Sequence, residues 1–160
     1  MKKLYLIRHA EASIAEAGTD DAKRKLTKKG KQDTKKIIKY LSDHKIRFGC
    51  IIASHATRAV DTAKLIALGV CFPAESIFYD KRVYFEEARV FFDILEELDD
   101  SVTDVAIIGH NPELTAFAQY FLNDLSVVMS PSAMIGIEIN SDNWSKIKQA
   151  VYKKLFIITP

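Results

Sequence analysis

Four residues in this chain of 160 have the types and spacing to manage a phosphoryl group. Arg8 and His9 are adjacent and directly follow the apolar run Leu4 to Ile7. Ser54 closes a second apolar run, Cys50 to Ala53, and Arg58 lies one helical turn further on. His110 follows Gly109 at the end of a third run, Val105 to Ile108. Guanidinium groups are planar, permanently charged forks that bind phosphate oxygens in pairs and offset charge spreading in a transition state. A histidine between two of them can attack phosphorus in line and form a phosphoimidazole that water then hydrolyses. A metal is the competing use of two histidines. No carboxylate or thiolate stands at ligand spacing, and flanking arginines would repel a cation. The set therefore calls for no metal and no cofactor.

These residues converge only if the runs that carry them are neighbouring strands of one sheet. Leu4 to Ile7 reads as a buried strand, and Glu11 to Arg24 as a polar loop. Thr27 is a cap for a helix to about Lys45, with Thr34, Ile37, Ile38 and Leu41 at helical spacing. Cys50 to Ala53 is the second strand, and Ser54 offers the cap of a helix with Ala59, Ala63 and Ile66 on its apolar side and Gly69 as its stop. Ile77 to Tyr79 is a weak strand. Phe85 to Leu98 reads as one helix, buried through Phe91, Phe92, Leu95 and Leu98. Val105 to Ile108 has the unbroken apolar character of an interior parallel strand. Asn111-Pro112 resembles a cap followed by a proline in the first helical position. That helix carries Leu114, Phe117, Ala118, Phe121 and Leu122. Met134 to Ile139 and Tyr152 to Ile158 are two last strands, antiparallel and nearer an edge. The alternation predicts a doubly wound, mostly parallel α/β sheet with helices on both faces. Ligands of such sheets bind beyond the carboxyl ends of the strands, where Arg8, His9, Arg58 and His110 fall. His110 also precedes a helix N-terminus, whose N–H groups suit an anion.

Composition bounds the rest. With 48% hydrophobic and 28% charged residues, 1–160 reads as a single domain. Six Gly and four Pro argue against disorder. A net charge of +2 excludes an acidic tail or a globally basic nucleic-acid binder. No apolar run reaches the length of a secretory core or a membrane span, so no membrane partner is expected and the expected address is cytoplasmic. Cys50 and Cys71 form no Cys-x-x-Cys pair and read as reduced core or near-core thiols. Nothing in the sequence sets the oligomeric state.

Leu6-Ile7-Arg8-His9-Ala10 resembles the Arg-His-Gly signature of the histidine phosphatase (phosphoglycerate-mutase-like) superfamily. Asp21-x-x-Arg24-x-Leu26-Thr27-x-x-Gly30 is similar to the motif that follows in the SixA-type protein-histidine phosphatases. Ser54-x-x-x-Arg58-Ala59-x-x-Thr62-Ala63, Gly109-His110-Asn111-Pro112-x-Leu114 and the turn Pro131-Ser132-Ala133 resemble its later signatures. The likeness runs in order over nearly the whole chain. It implies that His9 is the phosphorylated nucleophile, that Arg8 and Arg58 grip the phosphate, and that His110 stabilises the transferring group. For Arg24 it implies a role in ordering or docking the loop. Three departures stand out. Ala10 replaces Gly, and His55 and Lys25 replace common Pro residues. The Glu-centred, glycine-rich segment that supplies a general acid in the mutases is missing; Glu86 and Glu87 are its only candidates, in a context that does not match.

That absence bears on the substrate. An alkoxide leaving group needs a proton as its bond breaks. Phosphohistidine protonated on its other ring nitrogen leaves as neutral imidazole, whose conjugate acid has a pKa of about 6.5. The expected activity is therefore a phosphohydrolase acting on phosphohistidine of a signalling or phosphotransfer protein. The alternatives are a small-molecule phosphomonoesterase and a phosphoprotein-binding module without turnover. The complete set of His9, Arg8, Arg58 and His110 argues against the last. His44 reads as structural in a last helical turn, and His55 as a turn residue near the pocket. Lys23 to Lys39 holds nine basic residues against Asp33, a local net of +8. It reads as a solvated helix face, with docking of an acidic phosphoprotein as its functional alternative. Its lysines lack the interleaved aromatics of a nucleic-acid surface. The acidic run from Glu86 to Asp104 reads as a solvated face, and Phe85, Phe91 and Phe92 as core.

Overall fold

A computed structural model describes residues 1–15, 17–18, 20–85, 87–122 and 128–160. Glu86 and the Phe85 side chain lie outside the described residues. The strands are β1 (Lys2–Arg8), β2 (Cys50–Ala53), β3 (Phe78–Tyr79), β4 (Asp104–Gly109), β5 (Met134–Ile139) and β6 (Tyr152–Ile158). They form one sheet in the order β3-β2-β4-β1-β5-β6. The first four are mutually parallel, whereas β5 runs antiparallel to β1 and β6 antiparallel to β5. The expected mostly parallel, doubly wound α/β fold with an antiparallel edge is the fold observed.

Unbroken apolar strands follow from burial of both faces. Side chains alternate across a strand, so Leu4 and Leu6 of β1 point to one side and Tyr5 and Ile7 to the other. The first side packs against α4 (Val90–Glu96), α5 (Glu113–Phe121) and the 3-10 turn Trp144–Gln149, through Phe91, Phe117 and Trp144. The second packs against α1 (Lys28–Asp43) and α2 (Thr57–Gly69), through Ile37, Leu41, Ala63 and Ile66. Thr27 caps α1 as its sequence predicts, its hydroxyl accepting from the Gly30 N–H at 3.0 Å.

Local departures have identifiable causes. Ser54 does not cap α2; its hydroxyl accepts from the Ala56 N–H at 3.2 Å inside a tight bend, and the helix begins at Thr57 behind Ala56. Gly69 does not stop α2 but lies in its last turn, where a Cβ would come within 2.3 Å of the Ile38 side chain. It is a packing glycine for the α1–α2 contact. The expected single helix Phe85 to Leu98 is two, the short α3 (Arg82–Phe85) and α4. The Asp80 carboxylate accepts from the Arg82 N–H at 2.8 Å and starts a turn ahead of the apolar pattern. Arg82 also reaches Glu97 at 2.7 Å, tying the two helices together. Asn111 is not the cap of α5. Its bond to Pro112 is cis, Pro112 takes the capping position, and the Asn111 amide bonds the Met129 carbonyl and the Thr115 hydroxyl. Cys50 is half-buried as expected, but Cys71 is exposed, because the chain turns there with φ at +58°. No helix among the described residues is long and apolar enough to cross a membrane.

One close approach links this frame to the site. A Cβ on Gly30 would stand 2.3 Å from the Glu11 carbonyl oxygen and 2.9 Å from its nitrogen, both backbone atoms. Glu11 follows the His9-Ala10 pair, so the first turn of α1 packs against the chain just beyond the end of β1 through this glycine.

 A Gly30→Ala variant must push that backbone aside. It is expected to lose about 1–3 kcal/mol of stability, read as a lower urea midpoint at unchanged slope. A midpoint equal to that of the parent would show that the Glu11 segment yields freely.

Candidate active site

β1 and β4 lie side by side in parallel, with Arg8 opposite Gly109. The ladder continues one residue past β1, where the His9 N–H donates to the Gly109 carbonyl at 3.0 Å. His9 and His110 therefore leave neighbouring strand ends together, and their rings lie 4.9 Å apart. On the other flank, the Arg8 N–H donates to Ala133 at 3.0 Å and the Ser132 N–H to His9 at 3.2 Å. The Pro131-Ser132-Ala133 turn thus closes one wall of the pocket. Arg58 arrives from the first turn of α2. The Thr62 hydroxyl donates to the Arg58 carbonyl at 2.6 Å and accepts from the Ala10 N–H at 3.0 Å, which ties that helix to the residue after His9.

The His9 ring is held in one tautomer by two contacts. Nδ1 lies 2.8 Å from the Ala10 carbonyl, which only accepts, so Nδ1 carries the proton. Arg58 Nε–H donates to Nε2 at 3.2 Å, so Nε2 carries the lone pair. Burial lowers the His9 pKa to about 4, against the Ala10 hydrogen bond, with Arg58 and Arg8 lowering it further. His110 is lowered to about 3, first by burial and then by His9 and Arg58. Both imidazoles are neutral at pH 7. Burial also lowers Arg8 from its ordinary value.

The polar atoms are arranged for something not made of protein. Arg8 Nη1 donates to the Met129 carbonyl at 2.8 Å, but its buried Nε has no partner among the described residues. Neither ring nitrogen of His110 has one. Buried donors and acceptors are nearly always satisfied, and unsatisfied ones mark a ligand or water position. A cluster of guanidinium and imidazole groups with open valences suits a compact anion.

Sequence reasoning singled out Arg8, His9, Arg58 and His110; the structure brings His9, Arg58 and His110 into contact and sets Arg8 close enough to His9 to help lower its pKa. It also brings two residues with no assigned chemistry. Asp21 takes the outer end of Arg58, its carbonyl accepting from Nη1 at 2.8 Å and its Oδ2 from Nη2 at 3.0 Å. The Tyr84 hydroxyl donates to the same Oδ2 at 2.6 Å, and the Tyr84 ring packs on His110 at 4.9 Å. Tyr84 and then Arg24 hold the Asp21 carboxyl well below the usual carboxylate range, with Arg58 adding to the effect. Arg24 has the loop-ordering place expected of it, donating to Ser13 at 2.6 Å and to Asp21 at 3.0 Å. His55 packs edge-on against Tyr84 at 5.2 Å, so it borders the pocket. His44 is structural, its Nδ1 2.9 Å from the Tyr40 carbonyl. Glu87 is exposed. The apolar periodicity that locates helices carries no signal for Tyr84, whereas Asp21 stood in the quoted loop motif without a role.

Comparison with known proteins fits this geometry. The family model of the Histidine phosphatase superfamily (branch 1) matches residues 4–77. They include Arg8, His9 and Arg58, while His110 lies beyond the match. A protein of Agrobacterium tumefaciens described as the phosphohistidine phosphatase SixA superposes with a TM-score of 0.85 at 20% identity, covering 99% of this chain and 98% of its own. A protein histidine phosphatase SixA complexed with tungstate gives 0.84 at 17% identity, covering 99% and 97%. A mycobacterial glucosyl-3-phosphoglycerate phosphatase gives 0.67 at 12%, covering 98% of each chain. At these identities the likeness is one of fold. No curated protein matches the sequence.

The neutral, buried histidines of this protein make its stability depend on acid. The unfolded imidazole titrates near 6.5 and folded His9 near 4. Between those values the unfolded chain binds more protons, so stability falls as pH is lowered. A His9→Asn variant is expected to lose less stability than the parent between pH 7 and pH 4, by about 3 kcal/mol. Urea midpoints at the two pH values measure this, and equal acid losses in both proteins would contradict a depressed His9.

Proposed function

We propose that this protein is a phosphohydrolase in which His9 takes the phosphoryl group from a phosphohistidine of a partner protein and passes it to water. The observation that carries the reading is the His9 ring itself: neutral, fixed by Ala10, with its Nε2 lone pair turned toward the guanidinium of Arg58. Arg8 and Arg58 supply the cationic groups, and His110, with both ring nitrogens unpartnered among the described residues, lies 4.9 Å from the His9 ring. A bound phosphoryl dianion favours protonation of His110, which then donates to an equatorial oxygen as charge develops.

Both steps balance without an external acid. In the first, the Nε2 lone pair forms a bond to phosphorus while the bond to the substrate imidazole breaks. Its electron pair returns to the substrate ring nitrogen, and the ring, protonated on its other nitrogen, departs neutral. In the second, water adds to phosphorus, the bond to Nε2 breaks, and the pair returns to Nε2. Dihydrogen phosphate carries off both protons of the water. The bond broken and the bond made in the first step are of one kind, so that transfer is nearly even in energy.

A small phosphomonoester is the second reading, favoured by the fold likeness to the glucosyl-3-phosphoglycerate phosphatase. One experiment addresses both. The protein is mixed with phosphoramidate, quenched in base and digested, and the phosphate is located by mass spectrometry. Label on His9 is expected, with none in His9→Ala. Removal of Arg58 in Arg58→Ala is expected to lower kcat/KM by about 10²–10³. Turnover without any label on His9 would refute the covalent route. Turnover of sugar phosphates but not of phosphohistidine peptides would move the assignment to the second reading.

A further inference from the structure

Asp21 lies at the exposed end of the Arg58 guanidinium. In-line displacement needs the nucleophile on one side of phosphorus and the leaving group on the other. His9 occupies the closed side, 9% exposed, and Arg58 is 5% exposed. The Arg58 guanidinium spans the pocket, with Nε at His9 and its two terminal nitrogens at Asp21. The Asp21 side chain is 49% exposed, so it marks the open side.

Its valences are nearly full. A carboxylate has about four acceptor positions on its two oxygens. Among the described residues, Oδ2 accepts from Arg58 and Tyr84, and Oδ1 accepts from Arg24. One position on Oδ1 is left, on a group with open access to solvent. Three donors hold this carboxylate ionised, so it is equipped to accept a hydrogen bond and not to give a proton.

We propose that Asp21 selects the leaving group, its remaining acceptor position taking the N–H of a departing protonated imidazole. This rests on the phosphohistidine reading above and deepens it. A substrate imidazolium gains a charge-assisted hydrogen bond that persists as it leaves neutral. An alkoxide gains nothing, because Asp21 has no proton to offer. A leaving group with negative charge of its own is repelled. Asp21 thereby has a specificity role and not that of a general acid.

The test compares parent and Asp21→Asn on two donors, 1-phosphoimidazole and p-nitrophenyl phosphate. The first leaves as imidazole with an N–H; the second leaves as a stable anion with none. Tungstate affinity, read by competition, reports whether the pocket is still formed. The expected result is a fall of about tenfold or more in kcat/KM for phosphoimidazole. Activity on p-nitrophenyl phosphate falls several-fold less than that on phosphoimidazole, and tungstate affinity stays within a few-fold. An equal fall for both donors, or loss of tungstate binding, would overturn the proposal and leave Asp21 as a support for Arg58. Unchanged kinetics on both would overturn it as well. If the parent hydrolyses p-nitrophenyl phosphate but not phosphoimidazole, the phosphohistidine reading itself fails, and the role of Asp21 fails with it.

Discussion

The parallel pairing of β1 with β4 governs the rest of the molecule. It sets Arg8 opposite Gly109, and through one further backbone bond it sets His9 beside His110. About a hundred residues of chain separate these partners, yet no long side chain has to bridge them. Register is what holds the arrangement. Both strands are buried on both faces, and a slip by one residue would send every side chain to the opposite face. The alternation of Leu4, Tyr5, Leu6 and Ile7 into two different cores therefore fixes the pocket as firmly as it fixes the sheet.

Placing two imidazoles and two guanidinium groups together under cover works against folding. Like charges repel, and burial removes the water that would screen them. The chain meets this in two ways. The histidines are neutral, because burial and the arginines push their pKa values in the same direction. Arg58 has a carboxylate at its outer end, while Arg8 has one carbonyl and an open Nε. What remains uncompensated is the demand for an anion. Those open valences suit a compact anion, so the donors are placed before any such ligand arrives.

The strands and the four central residues could be read from the chain because their signals are local. An unbroken apolar run ending in Arg-His or Gly-His marks a strand and its functional end within a few residues. Thr27 likewise announces α1 by its own hydroxyl. What the sequence hid depends on contacts between distant segments. Gly69 looked like a helix stop because a glycine at a helix end usually is one, and only the approach of Ile38 shows its packing role. The break between α3 and α4 comes from Asp80 and Glu97 holding Arg82, which apolar spacing does not register. Tyr84 enters the site because α3 carries it over His110, and Asp21 because its loop folds back onto α2.

On the proposed reading, a chain that attacks with imidazole and expels imidazole faces an unusual catalytic problem. The leaving group is as good as the nucleophile, so acid catalysis is not the main need. The need is for an unprotonated Nε2 on a histidine that faces guanidinium groups. Burial supplies it by disfavouring the imidazolium, and the Ala10 carbonyl supplies the tautomer by holding the one remaining proton on Nδ1. In water this histidine would be partly protonated at pH 7 and free to turn. In the pocket it is neither, so on the proposed reading control of a single nitrogen on the attacking side takes the place of a general acid.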